Sequence, residues 1–115
     1  MKKCIVNFAN SHFIPGQVRL KASLEKVGFD GDILLFNDYP QVDCKPHTEV
    51  PYQFKPYAIW KAWQLGYTEI LYCDASLWAI ANPEPVFEHM RTHGCIMEYC
   101  GYSLGQYCTD AALVQ

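Results

Sequence analysis

At 115 residues, half of them apolar, the chain is long enough for one domain with a real core and too short for two. Charged residues make up 18% of it and the net charge is -3, which excludes the broad basic surface that neutralises nucleic-acid phosphates or anionic lipid. A bound phosphate must therefore be held locally, by a metal ion, by backbone amides or by single lysines. The opening Met1-Lys2-Lys3 leads into an apolar run broken at Asn7 and again at Asn10-Ser11-His12, without the cleavage site of a signal peptide. No stretch is apolar for long enough to span a membrane, and a cytoplasmic location is expected. The six cysteines, Cys4, Cys44, Cys73, Cys95, Cys100 and Cys108, include no CxxC pair. With Cys4, Cys73 and Cys95 inside apolar runs, all six are expected to be unpaired and to act as small buried hydrophobes.

In chain order, Cys4-Ile5-Val6 followed by Asn7-Phe8-Ala9-Asn10 reads as a buried strand closing at a surface. Gln17 to Val27 has helical spacing and stops at Gly28, which tolerates the left-handed cap conformation. Asp32-Ile33-Leu34-Leu35-Phe36 is a second strand ending in the turn residues Asn37-Asp38-Tyr39-Pro40, and a polar loop with Pro46 and Pro51 follows. Lys55-Pro56 opens the clearest helix, which runs through Tyr57 to Leu65 and stops at Gly66. Glu69 to Cys73 is the third strand, closed by Asp74, and Leu77 to Ile80 is a further short extended candidate. Asn82-Pro83-Glu84-Pro85 turns the chain into a helix reaching His93, with Gly94 as its stop. Cys95 to Tyr99 reads as another strand, Gly101 to Tyr107 as loop, and Thr109 to Val114 as the start of a helix capped by Thr109.

Strands alternating with helices across short turns predict an α/β fold, a mainly parallel sheet covered by helices on both faces. Right-handed crossovers gather the carboxyl ends of such strands on one edge, where open α/β sheets bind ligands. That places Asn7, Asn37 with Asp38, and Asp74 on a common rim. Asp74-Ala75-Ser76 is the focal point, because a carboxylate stands where an otherwise apolar strand emerges. Two oxygens flanking a small residue can serve one hard cation while Ala75 leaves room for phosphate, although a strand-end Asp equally serves as a turn residue. Trp60, Trp63 and Trp78 are expected in the core or an interface, while Tyr52, Phe54 and Tyr57 stand beside the proposed cleft. His89 and His93 are four apart on a helix, a spacing that suits zinc, but no accompanying ligand motif supports it.

Gln53-Phe54-Lys55-Pro56-Tyr57-Ala58-Ile59-Trp60-Lys61-Ala62-Trp63, then Gly66-Tyr67, Glu69-Ile70-Leu71-Tyr72-Cys73-Asp74-Ala75-Ser76 and Asn82-Pro83-Glu84-Pro85-Val86-Phe87, resemble the central block of A-type glycosyltransferases, including the glycogenin-like group. The likeness covers the middle third of the chain closely and the first third in outline. It implies a Rossmann-like nucleotide-diphospho-sugar transferase fold, with the whole chain as a single donor-nucleotide-binding domain cut short at its C-terminal end. It also implies a nucleoside-diphosphate sugar as donor, held through Mn2+ or Mg2+ by an Asp-x-Asp motif. Asp74 matches the first aspartate of that motif, and Asn7, Phe8 and Ala9 match the loop after the first strand that holds base and ribose. Asp38 stands in the place of a nucleoside-contacting acid. Ser76 replaces the second carboxylate, so Asp74 and Ser76 are expected to bind metal more weakly. Lys55, at a helix start, is expected to pair with a phosphate.

No residue is marked as a catalytic base, since Glu98 and Asp110 are merely available carboxylates. The resemblance thus implies a transferase whose acceptor and stereochemistry are open, with a non-catalytic nucleotide- or sugar-binding module as the alternative. Ala111 to Val114 form an apolar run with no cap beyond it, which is expected to fray, to pack on a second copy as a homodimer or to expose apolar surface, and the isolated chain is expected to be inactive in transfer.

Overall fold

The computed structural model of the chain describes residues 2–37, 46, 48–50 and 52–96. Their element order is β1 (Lys3–Phe8), a short 3-10 turn (Ser11–Phe13), α1 (Ile14–Lys26), β2 (Asp32–Phe36), α2 (Phe54–Gln64), β3 (Glu69–Tyr72) and α3 (Glu84–His93). The strands form one parallel sheet in the order β2-β1-β3, with Ile5 opposite Ile33 and Leu71. The expected α/β architecture is present in these residues.

Alternation along β1 assigns the two faces of the sheet. Ile5 packs with Leu20 and Leu24 of α1, Phe29 and Phe87 of α3, joined by Ile33 and Leu71. Cys4 points to the other face, where Ala62 of α2 and Tyr67 meet it with Leu34 and Ile70 alongside. Helices therefore cover both faces, as the near-continuous apolar content of β1 requires of a central strand.

Local sequence explains where each helix begins and ends. α1 starts three residues before the first position with helical spacing, because Pro15 and Gly16 occupy its first turn, where a missing N–H is harmless. Gly28, Gly66 and Gly94 all take positive φ, at 79°, 95° and 83°, just past their helices, in the conformation that costs glycine least. α2 approaches the sheet through the small buried pair Ala58 and Ala62. That leaves its two tryptophans outside: Trp63 is 63% exposed and Trp60 nearly half exposed, so neither belongs to the core, and Trp78 is exposed too.

Two further expectations are corrected. Leu77 to Ile80 forms no strand, and Ile80 is 90% exposed. The segment leaves the sheet edge because α1 holds it instead, through the Ala79 N–H donating to Ser23 Oγ at 2.7 Å. Cys95 lies in no strand and is exposed, while Met97 to Tyr99, like Gly101 to Tyr107 and Thr109 to Gln115, lie outside the described residues.

Cys4, Cys73 and Cys95 are unpaired, whereas Cys44, Cys100 and Cys108 lie outside the described residues. Burial pushes the thiols of Cys4 and Cys73 up to about 11, which leaves few thiolates at neutral pH. Alkylation of the native protein is expected to modify Cys95 well before Cys4 and Cys73. Peptide mapping over time checks this, and equal labelling of Cys4 and Cys95 would contradict the burial.

At the amino edge of the sheet, Lys3 pairs with Asp30 at 2.6 Å and with Glu84, while Arg91 joins Glu84 at 2.8 Å and also Glu69. These pairs tie α3 to β1 and β3, at the opposite end of the sheet from the carboxyl ends of the strands.

Candidate functional site

The chain steps from β1 outward to β2 with α1 on one face, then returns past β1 to β3 with α2 on the other. The direction of winding reverses between β1 and β3, and at such a point the loops leaving neighbouring strands part and open a crevice. A cavity of about 670 Å³ occupies this place, lined by Phe8, Ala9 and Asn10 from the end of β1, by Asp74 and Ala75 beyond β3, and by Phe54 and Lys55 at the start of α2. Phe13, Pro46, Thr48 and Tyr52 complete its walls. Phe8 stacks on Phe54 with ring centres 5.2 Å apart, which couples the end of β1 to the start of α2. Tyr52 adopts a positive φ of 62°, a strained conformation for a bulky residue and one that gathers at ligand sites.

Beneath the cavity runs a relay of side-chain amides. Asn37 Nδ2 donates to Gln17 Oε1 at 3.0 Å, Gln17 Nε2 donates to Asn7 Oδ1 at 2.9 Å and to the Phe36 carbonyl at 3.2 Å, and Asn7 Nδ2 donates to the Cys73 carbonyl at 2.7 Å. Through α1, the relay connects the carboxyl ends of all three strands. Asn7 is 0% exposed and Gln17 only 3%, so each needs these partners to offset the desolvation of its amide.

Beyond β3 the chain turns sharply, with Leu77 N–H donating to the Asp74 carbonyl at 3.0 Å. Ser76 Oγ donates to Asp74 Oδ2 at 2.7 Å, and Lys55 Nζ lies 3.9 Å from Asp74 Oδ1. The Ser76 hydroxyl is the main reason that the Asp74 carboxyl sits below the usual carboxylate range; burial opposes it, and the Ser76 and Ala75 amides and the Lys55 charge assist. Lys55 Nζ is also 5.1 Å from the Tyr52 ring centre and 5.7 Å from that of Tyr72, within cation–π range. Burial pushes the Tyr72 phenol up to about 12, and its oxygen accepts the Phe8 N–H at 3.4 Å. The turn rests on α1: a Cβ at Gly16 would lie 2.2 Å from the Ala75 carbonyl oxygen, so only glycine permits this approach. Arg19 Nη2 donates to the Ser76 carbonyl at 3.3 Å and its guanidinium lies 4.5 Å from the Trp78 ring centre.

No protein-family model matches the chain, nor does any curated protein or solved structure. The site rests on its own geometry. Of the residues expected there, Phe8, Ala9, Lys55, Asp74 and Ala75 line one cavity. Asn7 does not: it is buried and committed to Gln17 and Cys73, a correction to its expected place on an open rim. Ser76 lies beside the cavity with its hydroxyl turned onto Asp74, and Asp38 lies outside the described residues. Phe13, Thr48 and Gln17 were not expected. Gln17 has a readable signal, an amide in register with Leu20 and Leu24 on an otherwise apolar stripe; Phe13 and Thr48 have none. His89 and His93 stack with ring centres 4.1 Å apart on α3, and among the described residues no three His, Cys, Asp or Glu side chains gather as metal ligands.

Proposed function

We propose that the chain binds a nucleoside-diphosphate sugar in the crevice between the ends of β1 and β3, as the donor domain of a glycosyltransferase. The observation that carries the reading is the convergence of Lys55, Asp74, Ala75 and the Phe8-Ala9 loop on one cavity where the winding reverses. Glycosyl transfer itself is proposed from the resemblance of the Gln53 to Phe87 block to A-type transferases. Phe8, Phe13 and Phe54 give the cavity apolar walls suited to a base or a sugar face, and Ala75 keeps the turn narrow. As the bond from the anomeric carbon to the diphosphate breaks, negative charge grows on the departing phosphate, and a fixed positive charge beside it lowers the barrier.

The Mn2+ or Mg2+ implied by the resemblance meets an incomplete donor set. Asp74 offers one carboxylate, one oxygen of which accepts from Ser76 while the other faces Lys55, and no third ligand joins it among the described residues. A hard cation seeking about six oxygens is not matched by these side chains.

One observation favours the alternative of a non-catalytic binding module: among the described residues Asp74 is the sole carboxylate lining the cavity, and it is engaged by Ser76 and Lys55. Glu98 and Asp110 lie outside the described residues. Calorimetric titration with a panel of nucleoside-diphosphate sugars is the test. Saturable binding of at least one is expected, and Asn10→Trp, which fills the cavity from the β1 side, is expected to abolish it. A folded chain that binds none of the panel sinks the reading; binding without transfer or hydrolysis selects the module.

A further inference from the structure

We propose that Lys55, and not a divalent cation, neutralises the phosphate of the ligand in this cavity, with Asp74 acting as the arm that positions the lysine. The inference rests on the reading of the cavity as a site for a phosphorylated ligand. Lys55 and Asp74 both line it, and their side chains stand 3.9 Å apart with 37% and 48% of their surfaces exposed. A pair so open to water is weak, so the ammonium can exchange a singly charged carboxylate for a more highly charged phosphate with little loss. Tyr52 and Tyr72 flank the ammonium and keep it at the cavity wall. Lys55 also belongs to the first turn of α2, so the partial positive charge of the helix end adds to its own. A dication seated on Asp74 would share the carboxylate with this ammonium, and like charges at that separation repel. Asp74 is meanwhile held by Ser76 at 2.7 Å, a bond that fixes the carboxylate without any metal.

Isothermal titration of the 115-residue chain with inorganic pyrophosphate and with nucleoside diphosphates, in EDTA and again in Mn2+, tests the assignment. Binding in EDTA that Mn2+ does not strengthen is expected, falling roughly 10- to 100-fold for Lys55→Met in both buffers, as loss of an ionic hydrogen bond implies. Lys55→Arg is expected to keep binding. Asp74→Asn, which removes the carboxylate a cation needs but keeps an amide oxygen beside Lys55, is expected to lower it only a few-fold and equally in both buffers, and Ser76→Asp, which supplies a second carboxylate, makes it respond to Mn2+. Circular dichroism checks the fold of each variant; should Lys55→Met not fold, the parent in EDTA and the Asp74→Asn variant decide. Parent binding that requires Mn2+, or binding that survives Lys55→Met and is lost in Asp74→Asn, overturns the role of Lys55 and leaves the cavity as a phosphate site. A folded parent that binds no diphosphate in either buffer overturns that reading and this inference together.

Discussion

Phe87→Ala is expected to lower stability by about 3–5 kcal/mol, the range for truncating a large aromatic in a packed core. Phe87 is 0% exposed and is the buried residue of α3. It stacks on Phe29 with ring centres 5.7 Å apart and closes the cluster of Ile5, Leu20 and Leu24. Its loss opens a cavity between α3 and the sheet, so the ion pairs of Glu84 and Arg91 with Lys3 and Glu69 lose the packing that aligns them. A thermal melt followed by circular dichroism should fall by ~10 °C or more, with Phe87→Leu losing much less. A loss below ~1 kcal/mol would show that α3 is not anchored by this ring. Because α3 contributes nothing to the cavity lining, ligand affinity of the folded fraction should be unchanged.

Gln17→Met keeps the volume of the side chain and removes all its hydrogen bonds. It strands the buried Asn7 Oδ1, and a stranded buried polar group costs about 1–3 kcal/mol. The Phe36 carbonyl still accepts from the Ala9 N–H at 2.9 Å and Asn37 is exposed, so the penalty centres on Asn7. Asn7→Leu alone should destabilise similarly by stranding the Cys73 carbonyl and one donor of Gln17. The double variant should then be less destabilised than the sum of the two, since removing both partners of a buried bond costs less than removing one. Denaturant titration of the four proteins measures the coupling; strict additivity would show that the relay does not act as a unit. Ligand binding should weaken in both single variants, because Asn7→Leu breaks the link between the ends of β1 and β3 and Gln17→Met removes the bond that holds Asn7 in place to make it.

The helices and strands were legible wherever one local rule decided them. Gly28, Gly66 and Gly94 mark helix ends by conformation alone, and the apolar runs of β1 to β3 have no other stable use than a covered sheet. The failures share a cause: each depended on a partner distant in sequence. Asn7 reads as a strand terminus because a polar residue normally ends an apolar run, and only the approach of Gln17 from α1 makes its burial tolerable. Trp60 and Trp63 read as core or interface by type, and the close fit of Ala58 and Ala62 against the sheet turns them outward and excludes the core. Ile80 reads as strand by composition, yet α1 takes the hydrogen bond that a neighbouring strand would have offered nearby. For the site, Asp74 and Lys55 were visible as strand-end and helix-start residues, whereas their mutual pairing is a property of the sheet order.

The relay of Asn37, Gln17 and Asn7 has a consequence for how the cavity responds to acid. Carboxamides donate and accept hydrogen bonds without titrating over the range in which proteins stay folded, so the spacing of the three strand ends is set by groups indifferent to proton concentration. Of the charges above them, Asp74 keeps its carboxylate ionised to below the usual range. Acidification therefore alters what the cavity attracts before it alters its shape, and a ligand held by shape alone would not sense it.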